Sequence, residues 1–209
     1  MTHTLVFDTE TTGLPPRTRT RTASLSEMPW VIQLACILFR DSDQAEIGHF
    51  STYVLPTHGD LMGAVPVEKF WIENKLTMDH IAPTAMPLDT TMKIFNQFCR
   101  RATRIVAHNM AFDMPRIAEC HERIGAPDTN SFSSLPRFCT MTTLTPIMQL
   151  PANWPRPGQE YKWPNLDEAY RRYCDPAGFD SAHDAMADVR ACASLMYAIE
   201  KQGIALLAA

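Results

Sequence analysis

Three short runs of apolar and β-branched residues, Thr4 to Thr11, Val31 to Arg40 and Ile47 to Leu55, precede every helical pattern in the chain. Each closes on polar or turn-forming residues, so each reads as a strand, and three strands in succession commit the chain to a sheet. Helical patterns follow. Val67 to Leu76 places Val67, Phe70, Trp71 and Asn74 on one side, and Leu88 to Arg101 repeats Met92, Phe95 and Cys99 at helical spacing. A fourth short strand, Arg104 to His108, leads into a helix over Ala111 to Gly125, with Pro115 in its first turn and a glycine at its end. Residues 131–157 are rich in Ser, Thr and Pro and read as a long, partly irregular connection. Asn165 to Cys174 and Asp184 to Gln202 read as the last helices. The expected architecture is α/β, a mixed β-sheet flanked by helices, with residues 1–209 forming one domain.

A content of 45% hydrophobic and 20% charged residues supports a sizeable core and excludes disordered or collagen-like chains. Basic residues number 19 and acidic residues 23, a net charge of −4 that offers a nucleic acid no bulk positive field. The basic set is nevertheless 14 Arg to 5 Lys, a bias toward the side chain that grips phosphate in a planar fork. Cys36, Cys99, Cys120, Cys139, Cys174 and Cys192 are scattered without zinc-site spacing and read as reduced, mostly buried thiols in a reducing compartment. The N-terminal MTHTLVFDTE is unlike a signal peptide. The longest apolar stretch, Val31 to Phe39, is interrupted by Gln33 and is far shorter than the ~20 residues of a membrane span. These features predict a cytoplasmic protein, in the host cytoplasm if virus-encoded, with no membrane partner.

Asp8 and Glu10 lie two apart at the end of an apolar strand, whose period of two points both carboxylates to one face. Like charges so close resist joint ionisation unless a cation sits between them, and a hard divalent cation with oxygen ligands is the usual answer. The alternative is a strand end reaching solvent before a Thr-Thr-Gly turn. Asp113 lies where a strand hands over to a helix, at the sheet rim where sites concentrate; it also suits a helix's first turn simply by complementing the dipole.

His183 and Asp188 lie five apart, and inside one helix they would point about 140° from each other. His183 must then precede the helix, unless it merely decorates the helix end. Ser181 and Asp184 have the S-x-x-D form of a capping box, which starts the helix near Ala182 and leaves His183 at its mouth, with Asp184 in a capping role.

Asp8-Thr9-Glu10-Thr11-Thr12-Gly13-Leu14, His108-Asn109-x-x-Phe112-Asp113 and His183-x-x-x-x-Asp188 resemble, in order and separation, the three exonuclease motifs of the DnaQ-like DEDDh family. The resemblance runs from Leu5 to about Ala193. It implies an RNase H-like fold and 3′-to-5′ release of nucleoside 5′-monophosphates with two divalent cations, Mg²⁺ or Mn²⁺. By the family pattern Asp8 bridges both ions, Glu10 and Asp188 complete the nucleophile's site and Asp113 holds the other. His183 is then the general base, a task suited to an imidazole with an ordinary pKa of about 6.5. The same resemblance puts backbone contacts to the 3′ hydroxyl and an apolar side chain against the last base in the turn of Thr12, Gly13 and Leu14, with Thr11 beside it a further candidate substrate contact. It also assigns substrate contacts to Asn109 and a base-stacking ring to Phe112, although Leu14 and Phe112 could equally be core residues.

Glu73-Asn74-Lys75-Leu76-Thr77 stands where relatives often carry Ile-His-Gly-Ile-Thr, which makes Asn74 a candidate substrate contact without the histidine. Trp163-Pro164-Asn165-Leu166-Asp167-Glu168 resembles a Trp-Pro-x-Leu-x-Glu segment of some members, its bulk expected in packing. Between the first motif and the second strand, Arg17, Arg19 and Arg21 alternate in a polar loop over residues 15–29. Loops longer than ~12 residues are often functional, and these arginines are expected to meet backbone phosphates unless the loop is simply solvated.

The leading expectation is a 3′-to-5′ exonuclease acting on single-stranded DNA ends. An exoribonuclease trimming RNA 3′ ends is the nearest alternative, and a catalytically retired nucleic-acid-binding or interaction module belongs to another class. An acidic patch holding metal only for stability would leave His183 unexplained. A polymerase or repair partner is not readable from the sequence. With Asp8, Glu10, Asp113 and Asp188 set aside, acids and bases balance at 19 each, so the negative excess equals the four candidate ligands.

Overall fold

The computed structural model describes residues 1–16, 23–55, 81–126 and 132–209. The helix expected over 67–76 with Asn74, and the loop residues Arg17, Arg19 and Arg21, lie outside the described residues. In chain order the elements are β1 (His3–Thr11), β2 (Val31–Arg40), β3 (Ala45–Leu55), β4 (Met86–Pro87), α1 (Leu88–Cys99), β5 (Arg104–Ala107) and α2 (Met110–Arg123). They continue with β6 (Arg137–Cys139), α3 (Thr140–Met148), β7 (Pro151–Arg156), β8 (Gln159–Tyr161), α4 (Leu166–Tyr173) and α5 (Ala185–Lys201).

Among the described residues six strands form one mixed sheet in the order β4-β3-β2-β1-β5-β6. β1, β2 and β3 pair antiparallel, whereas β5 joins β1 and β6 joins β5 in parallel. β1 and β2 are central and covered on both faces, which is why β2 reads as a nearly unbroken apolar run and β1 is apolar toward both faces from Leu5 to Phe7. Alternation along β1 divides the core in two. Leu5 and Phe7 face α1 and α2, meeting Phe95, Met110, Ile117 and Phe132. Val6 faces the other way, onto Val189, Cys192 and Met196 of α5. Phe7 is fully buried, with ring centroids 5.8 Å from Phe95 and 5.5 Å from Phe132. Truncating it to alanine would cost about 3–5 kcal/mol.

The same alternation positions the acids. Asp8 and Glu10 follow Val6 onto the α5 face, and Thr9 follows Phe7 onto the α2 face. Across the ladder Asp8 is paired with Ala35 and Glu10 with Gln33, after which the register slips, so that Thr11 faces Val31. Such slips turn a strand end away from the sheet and are frequent beside active sites.

Three expectations are corrected. The segment after residue 131 is largely regular: β6 and α3 are followed by the hairpin of β7 and β8. The hydroxyls of Thr143 and Thr145 donate to backbone carbonyls four residues earlier, at 2.7 and 2.8 Å, so threonines typical of loops are satisfied inside α3. Pro115 is the sixth residue of α2, not part of its first turn. The last helix starts at Ala185 with Asp184 itself as N-cap, accepting from the N–H groups of Met186 and Ala187 at 3.1 Å each. Ser181 is left outside in a left-handed turn with φ of 61°. Among the described residues no helix is long and apolar enough to cross a membrane.

Candidate active site

A cleft of about 310 Å³ opens at the C-terminal end of β1. Its walls include Asp8, Glu10, Asp113, His183 and Asp188, the five residues of the three motifs expected to do chemistry. Asp8 and Glu10 arrive from β1, Asp113 from the first turns of α2 and Asp188 from those of α5. The sheet lies between those two helices, and its rim is where both can reach the strand end.

Asp113 is 2% exposed. Its Oδ1 accepts from the Thr9 hydroxyl at 2.6 Å and from the Thr9 N–H at 3.2 Å, which locks the carboxyl onto β1. Burial pushes its pKa up to about 7, against the lowering pull of the Thr9 bonds. Thr9 was not foreseen as part of the site; its place between two acids on a strand was the available signal.

Asp188 Oδ2 accepts from the backbone N–H of His183 at 3.2 Å. That bond needs the turn at His183, whose φ of 73° lies in the left-handed region uncommon for a non-glycine residue. His183 thus does precede the helix, and its ring is exposed at the cleft mouth. Asp188 Oδ1 is buried and lacks a hydrogen-bond partner among the described residues. Burial raises the Asp188 pKa to about 6. Asp8 is raised well above the carboxylate range by burial first, then by the charges of Asp113, Asp188 and Glu10.

These features suit a divalent cation. Ligand atoms of Glu10, His183 and Asp188 all lie within 4.8 Å of one another. An orphaned buried carboxylate oxygen and a crowd of mutually repelling acids are what a hard, oxygen-seeking cation relieves. Asp8 and Asp113 complete the acidic lining of the same cleft.

The remaining candidates are distributed unevenly. Thr11, Leu14, Asn109 and Phe112 line the cleft, and Leu14 is 74% exposed. The Arg116 guanidinium lies 5.6 Å from the Phe112 ring centroid, behind a half-buried ring. Thr11 donates its hydroxyl to the Gly13 carbonyl at 2.9 Å, shaping the turn. Thr12 is buried and turned toward β2: its hydroxyl accepts from the Trp30 N–H and its own N–H donates to the Trp30 carbonyl, both at 2.9 Å. Asn109 is left-handed with φ of 66° and ends the strand-to-helix turn.

His108 also lines the cleft. Its Nε2 lies 3.0 Å from the Pro164 carbonyl, which can only accept, so Nε2 carries the proton and Nδ1 accepts from the Thr140 hydroxyl at 2.9 Å. Burial lowers its pKa to about 4, and the ring is neutral. It anchors the segment that brings Leu166 to the cleft wall. Trp163 does not follow the expectation that its bulk would be packed, for it is 52% exposed; its neighbours Pro164 and Leu166 make the inward contacts.

The sequence model of the exonuclease family, of RNase T type, matches residues 5–196. No curated protein sequence matches the chain significantly. Among solved structures, E. coli Exonuclease I in complex with a dT13 oligonucleotide superposes with a TM-score of 0.70 at 17% identity, over 96% of this chain and 41% of that one. Exonuclease I from the moderate thermophile Methylocaldum szegediense gives 0.70 at 18% identity, over 97% and 41%. The zinc-bound form of the E. coli Exonuclease I complex with single-stranded DNA gives 0.71 at 18% identity, over 97% and 41%. At this identity the likeness is one of fold, and the chain spans about two fifths of the length of these proteins.

Proposed function

The chain belongs to the exonuclease family, and from that premise we propose that it removes nucleotides one at a time from 3′ ends of nucleic acid, with single-stranded DNA preferred. The observation that carries this reading is the convergence of Glu10, His183 and Asp188 in one cleft with Asp8 and Asp113. The preference for DNA is supported by the oligonucleotide complexes of E. coli Exonuclease I, whose fold this chain shares.

Asp8, Glu10, Asp113 and Asp188 would hold two divalent cations, Mg²⁺ or Mn²⁺. When bound, such ions supply charge neutralisation at the phosphate and make a water more acidic. The protein's own part is positional and protolytic. Thr9 holds the Asp113 carboxyl in place, and the His183 turn holds that of Asp188. His183, on a ring nitrogen, takes the proton that the attacking water gives up. The water oxygen bonds to phosphorus and the bond from phosphorus to the penultimate 3′ oxygen breaks. A nucleoside 5′-monophosphate leaves, and the departing 3′ oxygen takes a proton from solvent water, so the shortened strand ends in a new 3′ hydroxyl. Leu14 and Phe112 offer apolar surface to the terminal bases without reading their identity. Thr11, Thr12 and Gly13 shape the turn beside them, and Asn109 borders the same cleft. Asn74 would add a substrate contact, and Arg17, Arg19 and Arg21 would meet backbone phosphates.

The test is a side-by-side digestion of 3′-labelled and 5′-labelled single-stranded DNA, duplex DNA and RNA with Mg²⁺ or Mn²⁺. Immediate release of 3′ label as mononucleotide is expected, with single-stranded DNA fastest. Degradation that starts at the 5′ end, or activity surviving Asp8→Ala, refutes the mechanism.

A further inference from the structure

Gln33, the polar residue that interrupts the apolar run of β2, is 4% exposed and has no part in the chemistry above. A buried side-chain amide is costly unless both its ends are bonded, and both are. Its Nε2 donates to Asp184 Oδ2 at 2.9 Å, and its Oε1 accepts from the Ala185 N–H at 3.2 Å. Both partners belong to the entry of α5. Asp184 turns its other oxygen to the helix, capping the N–H groups of Met186 and Ala187. On its own sheet Gln33 stands directly opposite Glu10.

We propose that Gln33 is a positioning residue, which docks the start of α5 against the strand position facing Glu10 and thereby holds His183 and Asp188 within reach of Glu10. The inference rests on the exonuclease reading of this site. His183 is adjacent to the capping residue Asp184, and Asp188 donates its N–H to the Asp184 carbonyl at 2.9 Å. Both site residues therefore move with Asp184. The ladder between β1 and β2 fixes Gln33 relative to Glu10, so one amide sets the spacing between acids that come from opposite ends of the chain. An apolar side chain would fill the same volume and leave the helix entry held by the apolar packing of Ala185 and Val189, which fixes no hydrogen-bonded register between Asp184 and the strand.

Two substitutions and a compensating pair test this. Gln33→Leu removes both bonds, and Gln33→Glu keeps the acceptor for the Ala185 N–H but turns an oxygen toward Asp184. Each is expected to lower kcat on single-stranded DNA by about 10- to 100-fold with KM changed less than about threefold, the signature of displaced reacting groups. Gln33→Glu combined with Asp184→Asn rebuilds the pair with roles exchanged: the Asn amide donates to the Glu carboxylate while its oxygen keeps the cap. That double variant is expected to recover kcat to within about threefold of the parent. Parental kcat in both single variants overturns the inference, as does a double variant no better than Gln33→Glu. Loss of cooperative melting in both single variants, unrescued by the pair, assigns Gln33 to folding and also overturns it. Absence of turnover in the parent chain overturns the exonuclease reading and this inference together, whereas a working parent with unaffected variants overturns the inference alone.

Discussion

Asp113 and Asp188 occupy equivalent places on opposite faces of the sheet. Each is the fourth residue of its helix, and a left-handed residue stands before each helix, Asn109 with φ of 66° as the cap of α2 and His183 with φ of 73° just ahead of the α5 cap Asp184. Both lie near a helix N-terminus, where a carboxylate is favoured. They are held in different ways. Asp113 is sealed in and bonded to β1 through the hydroxyl and N–H of Thr9. Asp188 keeps one oxygen without a partner among the described residues and is held by the turn at His183. Its helix packs on the sheet through Ala185, Val189, Cys192 and Met196, and its entry is hydrogen-bonded to β2 through Asp184 and Gln33. One acid is a fixed wall of the site; the other is a coordination position presented on a helix entry that must be docked separately.

This contrast can be broken by substitution. Asp113→Ala and Asp188→Ala should each reduce turnover by more than about 10³-fold, since residues acting as one unit fail together. Their stabilities should diverge. Loss of Asp113 strands the buried Thr9 donors at a cost of about 1–3 kcal/mol, whereas loss of Asp188 releases only the exposed His183 N–H to water and removes an oxygen with no partner among the described residues. Denaturant titration of the cation-free variants measures both, and equal losses would contradict the comparison. His183→Ala should lower kcat by about 10²–10⁴-fold with KM nearly unchanged, the range for a lost general base, in steady-state digestion of single-stranded DNA. Phe112→Ala should weaken single-strand binding by about 1–3 kcal/mol in fluorescence anisotropy, the value of one stacked base; a smaller change would return Phe112 to a packing role.

The pH dependence of stability should be gentler and is sharpened by the same pair. In the cation-free fold Asp113 sits at about 7 and Asp188 at about 6, both above the ordinary 3.8. Between about pH 4 and 7 the folded chain therefore holds more protons than the unfolded chain, and stability falls as pH rises through that window. Asp8, raised by burial and by its acidic neighbours, acts in the same direction, so Asp113→Asn should lessen the upper part of the fall without abolishing it and Asp188→Asn should lessen the lower part. Mg²⁺ should raise the Tm more at about pH 8 than at about pH 5, because the ligands must be ionised to bind it.

The strands and most helices were legible because period is a local property of the backbone: Leu5, Val6 and Phe7 alternate whatever packs on them. Residues 131–157 were not, since Ser, Thr and Pro signal a loop only while their polar groups lack helix carbonyls to bond, and in α3 they have them. The start of α5 was misplaced by three residues because Ser181 and Asp184 are both good caps, and the competition is settled by which one the sheet can hold. Gln33 holds Asp184.

By itself, then, the sequence determined the carboxylates, their spacing along β1 and the need for His183 to stand outside a helix, because these follow from residue chemistry and the geometry of single elements. Only the tertiary structure decided that Thr9 bonds Asp113, that Asp188 keeps an open oxygen, that His108 stays neutral under Pro164 and that Gln33 fastens α5. Each of those depends on which groups lose water together when helices close on the two faces of the sheet. Desolvation makes every buried hydrogen bond obligatory, and it acts between segments that the chain order keeps up to 152 residues apart.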